Sequence, residues 1–152
     1  MIIYADTSTI GGCEDKEFRV WSLALQEEFK IGRHHLMLSD LTLQELEDAR
    51  KTVRERVKVI PKAHIFGVGI TDEAIQLAET YITEGALTNK SYNDALHIAL
   101  ATINLADVLA SWNFRHIVNL NRIRLYNSIN LRLGYHIIEI RTPREILNSE
   151  EK

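Results

Sequence analysis

The chain predicts a three-layer α/β/α fold, with a mainly parallel central sheet of about four strands between two layers of helices. Three observations point there. Short apolar runs of strand length alternate with helical stretches of 3.6-residue periodicity, and the first strand, helix and second strand close a βαβ unit. The first run, Met1-Ile-Ile-Tyr-Ala-Asp6, also delivers a carboxylate to the carboxyl end of a strand, where open α/β sheets build their sites.

Strand Ile2 to Ala5 gives way to a turn at Gly11-Gly12, and an acidic start at Glu14-Asp15 opens a helix carrying Phe18, Trp21, Leu25 and Phe29. Gly32 stops that helix, and Leu36-Met37-Leu38 forms the second strand. Ser39-Asp40-Leu41-Thr42 opens a helix that runs through Glu45 towards Val59, with room for a break. Pro61, Gly67 and Gly69 mark an irregular connection. Thr71-Asp72-Glu73 then caps a helix to about Ile82, which Gly85 ends. Ser91 to Asn104 is apolar on nearly every side and reads as a buried helix carrying Asp94 and His97. Val108-Leu109-Ala110 is the third strand, ending at Ser111-Trp112-Asn113. A helix through Arg122 and Leu131 follows and stops at Gly134, and His136 to Ile140 is the fourth strand. Thr142-Pro143-Arg144-Glu145 is a capping box with proline at the first helical position, so a short helix closes the chain.

At 152 residues, 45% hydrophobic and 26% charged, the sequence suits one domain spanning positions 1–152. Cys13 is the only cysteine, which excludes an internal disulfide and a Cys-rich zinc cluster and suits a reducing, cytoplasmic setting. The N-terminus lacks a basic n-region and a signal h-region, and no apolar run reaches the roughly 18 residues of a membrane span, so neither secretion nor insertion is expected. A net charge of −3 argues against a protein that coats nucleic acid non-specifically. His34 and His35 are adjacent and point to opposite sides of a strand, which disfavours zinc.

Asp6, Glu45 and Asp94 are the candidate chemical groups. Each has a structural explanation when taken alone: Thr42-x-x-Glu45 and Ser91-x-x-Asp94 match capping boxes, and Asp6-Thr7-Ser8 fits an Asx or ST turn. Together they are more specific, because three carboxylates in one cleft raise one another's pKa unless a cation compensates them. An all-oxygen site of this kind suits Mg2+ or Mn2+, which could orient water for attack on a phosphodiester.

Four segments resemble a PIN-domain protein of the VapC-like toxin ribonuclease type: Ile3-Tyr-Ala-Asp6-Thr7-Ser8, Leu41-Thr-Leu-Gln-Glu45-Leu, Tyr92-Asn-Asp94-Ala-Leu-His97-Ile-Ala, and Ala106-Asp107-Val-Leu-Ala-Ser111-Trp112-Asn113-Phe114. The resemblance implies endonucleolytic cleavage of RNA dependent on Mg2+ or Mn2+, with Asp6, Glu45 and Asp94 as metal-binding catalytic acids. It further implies a homodimer, inhibited by a small antitoxin protein that reaches into the acidic cleft. Asn113 stands where many such proteins carry a fourth acid; its amide oxygen can meet a metal or a ligated water but adds no charge. That substitution keeps open a catalytically weak or inactive PIN-like module that binds RNA or a partner. A phosphoryl-transfer or receiver domain ranks lower, since no acidic pair stands in the first loop.

Secondary candidates are Thr7 and Ser8, as holders of water or phosphate or as turn caps; His97, as a group that steers Asp94, touches phosphate or serves structure; and Asp107, which precedes its strand and suits a turn. Ser111, Arg115 and His116 are expected to contact substrate. Basic residues also cluster at Arg50, Lys51, Arg54, Arg56 and Lys58, where Glu47, Asp48 and Glu55 interleave as on a solvated face, and at Arg122 and Arg124. Trp112 can stack a base or pack in the core, and Trp21 and Phe29 can face a partner or the sheet.

Overall fold

A computed structural model gives the structure of the protein over residues 1–149, and a parallel sheet of five strands forms its centre. The strands are β1 (Ile2–Ala5), β2 (His35–Ser39), β3 (Ile65–Val68), β4 (Val108–Ala110) and β5 (Ile140–Arg141), in spatial order β3-β2-β1-β4-β5. Every ladder is parallel, with Ile3 beside Leu36 on one side and Val108 on the other. The helices are α1 (Thr7–Gly11), α2 (Arg19–Ile31), α3 (Asp40–Glu47), α4 (Lys51–Lys58), α5 (Asp72–Thr83), α6 (Tyr92–Ile103), α7 (Leu120–Arg132) and α8 (Pro143–Ser149).

Strand side chains alternate between faces, so the sheet carries two cores. Tyr4, Met37 and Leu109 point to one face, where α5, α6 and α7 contribute Leu77, Tyr81, Ile98 and Tyr126. Ile3, Ala5, Leu36 and Val108 point to the other, where α2, α4 and α8 contribute Leu25, Phe29, Val53 and Ile146. The three layers expected from the sequence are therefore present, with both faces of β1 fully covered, as all-parallel sheets require.

Local differences from the sequence reading have physical causes. Residues 65–68, taken as irregular connection, form the edge strand β3. Gly67 weakens its pattern, Phe66 is exposed and Val68 alone of its residues is buried, so neither alternation nor a continuous apolar run marks it. The fourth expected strand shrinks from 136–140 to Ile140–Arg141; Ile137 stays outside the ladder and exposed. The first helix starts at Arg19, because residues 7–14 are already wound into α1 and a 3-10 turn, Gly12–Glu14. The long helix expected after Ser39 does break, between Glu47 and Lys51, where Arg54 donates to the carbonyls of Glu47 and Ala49 left open at the end of α3.

Ser39 is the true N-cap of α3, accepting from Thr42 N–H, so no Thr42–Glu45 capping box forms. Ser91 makes no cap hydrogen bond either. Thr142 and Glu145 do form their box, each side chain accepting from the other's backbone N–H at 3.1 and 3.0 Å respectively. Gly32 ends α2 at φ +81°, and His64 Nε2 lies 2.8 Å from where a Cβ would stand, so both conformation and space demand glycine.

Candidate active site

The parallel sheet brings the carboxyl ends of β1, β2 and β4 to one rim, and the strand order reverses between β1 and β4. Open α/β sheets form their clefts at such a switch point. Asp6 follows β1, α3 with Glu45 follows β2, Ser111 follows β4, and α6 brings Asp94 and His97 to the same rim.

Asp6 is 4% exposed and fully engaged. Its Oδ1 accepts from Ser8 Oγ at 2.7 Å and from Thr9 N–H at 3.0 Å, which makes Asp6 the N-cap of α1; its Oδ2 accepts from Ser111 Oγ at 2.6 Å. The turn reading and convergence on the rim thus hold together at this residue. Hydrogen bonds to a carboxylate's two oxygens fix its plane; Oδ1 accepts two of them, and Oδ2, which accepts one, keeps a lone pair for a cation.

Glu45 Oε1 accepts from Thr7 Oγ1 at 2.7 Å and from His97 Nε2 at 2.6 Å, while Oε2 has only a long 3.5 Å contact from Asn93 Nδ2. Burial pushes this carboxyl upward, but the hydrogen bond and charge of His97, then Thr7 and Asn93, outweigh it and leave the group below its ordinary value. Asp94 behaves oppositely. Its Oδ2 meets His116 Nδ1 at 3.0 Å, yet burial, reinforced by the negative charge of Asp6, holds its carboxyl above its ordinary value. Asp6 and Asp94, distant in sequence, therefore act on each other electrostatically. No lysine or arginine among the described residues forms an ion pair with Asp6, Glu45 or Asp94; Glu45 and Asp94 each have a histidine partner, His97 and His116.

The remaining candidates fall into place around these acids. Thr7 and Ser8 hold Glu45 and Asp6 respectively. Ser8 Oγ also accepts from Trp112 N–H at 2.9 Å. Ser111, expected at the substrate, is fully buried and serves Asp6 instead, a correction that follows from the inward pleat at the end of β4. His116 is likewise turned onto Asp94, with its backbone carbonyl accepting from the Tyr126 hydroxyl. Arg115 is exposed beside it. His97, read as steering Asp94, touching phosphate or serving structure, is a buried, hydrogen-bonded residue that reaches Glu45 and not Asp94: one helical turn separates it from Asp94 on α6, and the imidazole is directed inward, 3% exposed.

Asn113 lies at this rim, but its Oδ1 accepts from His116 N–H at 3.0 Å, capping the turn after β4. Asp107 precedes β4, as the sequence reads it, and lies at the opposite rim, where its Oδ2 accepts from Ile2 N–H at 2.7 Å. Trp112 is 8% exposed, stacked on Phe18 at 4.2 Å and donating from Nε1 to Ser22, so it packs rather than offering a free face. Phe29 is buried against the sheet, and Trp21 lies under Arg144. Of the basic residues, Arg54 caps α3, Arg56 pairs with Glu14 and Arg122 donates to the Ala86 carbonyl, whereas Arg50, Lys51, Lys58 and Arg124 are exposed. The signal that sequence lacked was long-range: nothing local to Ser111 or His116 shows that each serves a carboxylate.

The donor set fits a hard divalent cation in kind, since it offers carboxylate oxygens and a like-charge conflict between Asp6 and Asp94 that a cation relieves. As they stand, no group of three or more His, Cys, Asp and Glu side chains among the described residues is gathered tightly enough to hold an ion. No described helix is long and apolar enough to cross a membrane.

No family model matches the chain, and no curated protein matches it in sequence. Among solved structures it is similar to a chain of VapBC2 from Rickettsia felis, solved bound to a DNA fragment from their promoter: identity is 13%, coverage is 93% of this chain and 98% of that one, and the TM-score is 0.59. It is also similar to VapC20 of Mycobacterium tuberculosis, described as a toxin that cleaves the sarcin-ricin loop. There identity is 15%, coverage is 75% of this chain and 92% of that one, and the TM-score is 0.57. At these identities the likeness is one of fold, and the chain has the fold of VapC-like PIN domains.

Proposed function

We propose that this chain is an endoribonuclease that hydrolyses RNA phosphodiester bonds with Mg2+ or Mn2+, and that it is the toxin of a toxin–antitoxin pair. The observation that carries the reading is that Asp6, Glu45 and Asp94, from three separate segments, stand along the switch-point rim of a parallel sheet with no lysine or arginine ion-pair partner among the described residues. Asp6 is buried, and Asp94 is held above its ordinary value by burial and by the charge of Asp6, a conflict that a cation would relieve. The fold shared with VapC20 and VapBC2 chains supports RNA as substrate and a small antitoxin as partner. Homodimerisation and a cytoplasmic setting belong to the same reading.

Asp6, Glu45 and Asp94 would hold the cation. When bound, it would supply Lewis acidity at a phosphoryl oxygen and an activated water at neutral pH. The chain's own contribution is orientation. Ser8, Thr9 and Ser111 fix Asp6, Thr7 fixes Glu45, and His116 keeps Asp94 near the rim. Exposed Arg115 is suited to a phosphate of the strand.

A second reading, a PIN-like module that binds RNA or a protein without efficient cleavage, is favoured by Asn113, which is neutral and has its oxygen committed to the backbone. Incubating purified protein with total RNA under Mg2+, Mn2+ or EDTA separates the two. Metal-dependent cleavage, lost in Asp6→Asn and Asp94→Asn variants that keep their circular dichroism, is the expected result. Equal background in all three proteins would favour the binding module.

A further inference from the structure

His97 is buried beneath the rim, out of reach of substrate, and joins two elements. Its Nε2 donates to Glu45 Oε1 at 2.6 Å, and its Nδ1 lies 2.6 Å from the Tyr4 hydroxyl, itself 2.7 Å from Ser39 Oγ. Tyr4 and Ser39 are fully buried, on β1 and at the end of β2. The Tyr4 ring meets the imidazole edge-on, with centroids 5.6 Å apart. Both ring nitrogens are therefore engaged, which holds the imidazole at both ends.

The two oxygens of Glu45 are treated unequally. Oε1 receives two short hydrogen bonds, from Thr7 and His97, whereas Oε2 has only the 3.5 Å contact from Asn93. We propose that His97 is a positioning residue: backed by Tyr4 and Ser39, it joins Thr7 in occupying Oε1 of Glu45, so that Oε2 is the oxygen offered to the divalent cation. This rests on the nuclease reading above. It also explains why α6 carries both an acid of the site and, one turn on, the imidazole that orients the acid from α3: one helix sets the relation between its own Asp94 and Glu45 of α3. Groups that orient a ligand in this way typically govern metal affinity by about 10- to 100-fold.

Two amides divide the imidazole's roles. Glutamine places its amide near the position of Nε2 and keeps a donor for Glu45, whereas asparagine reaches only the position of Nδ1 and keeps the Tyr4 contact. Mn2+ binding to EDTA-stripped full-length protein, followed by the electron paramagnetic resonance of free Mn2+, reads the difference without turnover, and thermal unfolding checks the folds. The expected result is affinity about 10-fold weaker or more in folded His97→Asn, and within about threefold of wild type in His97→Gln. Unchanged affinity in His97→Asn, or equal loss in both variants, would overturn the positioning role while leaving the nuclease reading standing. Wild-type protein that binds no Mn2+ would overturn both. If His97→Asn does not fold, Tyr4→Phe decides: it removes the support behind the ring, so weaker Mn2+ binding sustains the proposal and unchanged binding refutes it.

Discussion

Ser111 donates to Asp6 Oδ2 at 2.6 Å across a separation of 105 residues, tying the end of β4 to the acid that follows β1. Both residues are buried, Ser111 completely, and Ser111 Oγ also accepts from Asn113 N–H at 2.9 Å. One hydroxyl thus orients a carboxylate and starts the turn that carries Asn113 and His116.

Ser111→Ala is expected to destabilise the fold by about 1.5–3 kcal/mol, the range for losing a hydrogen bond to a buried charged group. Urea unfolding measures it. Because Ser111 and Asp6 share one interaction, Ser111→Ala with Asp6→Asn should cost less than the sum of the singles, with a coupling of about 1 kcal/mol or more. Strict additivity would show that the pair is not coupled in solution.

Glu45 and Asp94 should respond oppositely to neutralisation in metal-free protein. Burial opposes ionisation of Glu45, but His97, Thr7 and Asn93 more than compensate, so its contribution to stability is present above its unfolded-state pKa and disappears as pH falls through the lower folded-state value. For Asp94, burial and then Asp6 raise the pKa above the unfolded value despite His116; the ionised form is a liability that grows as pH rises past the unfolded-state pKa and is fully present above the folded-state one. At pH 7, Asp94→Asn should raise the melting temperature and Glu45→Gln lower it, by a few degrees each. With saturating Mn2+ both should be less stable than wild type, since the cation stabilises only a protein that binds it.

Cys13 should be nearly inert in the native state. Burial pushes its thiol up to about 11, with Arg56 pulling down and Glu14 pushing up by lesser amounts. At pH 8 the thiolate is then on the order of a thousandth of the population. A chromogenic disulfide reagent should react with the native protein at the rate of unfolding or slower, and at once in denaturant. Rapid native reaction would place the thiol at the surface.

Three of the acids were legible in the sequence because each sits at a local boundary that pattern reveals. Asp6 ends an apolar run, Glu45 lies in the helix after the second run, and Asp94 is a charge at the start of an otherwise apolar helix. The layer order was legible for the same reason, since apolar periodicity is a local property that burial on both faces of a parallel sheet sharpens. The edge strand β3 escaped notice because an edge is only half covered and Gly67 breaks its pattern.

The sequence by itself determined the layers and the acids that stand at strand ends and helix starts, because strand-length runs, helix caps and ionisable residues are written in adjacent positions. Only the tertiary structure decided the partners. It sent Ser111 to Asp6, His97 to Glu45 and His116 to Asp94, and committed the Asn113 oxygen to the backbone. The three carboxylate contacts join segments 22 to 105 residues apart. They depend on strand order and parallel register, which bring chain positions together through long-range packing that no local pattern records.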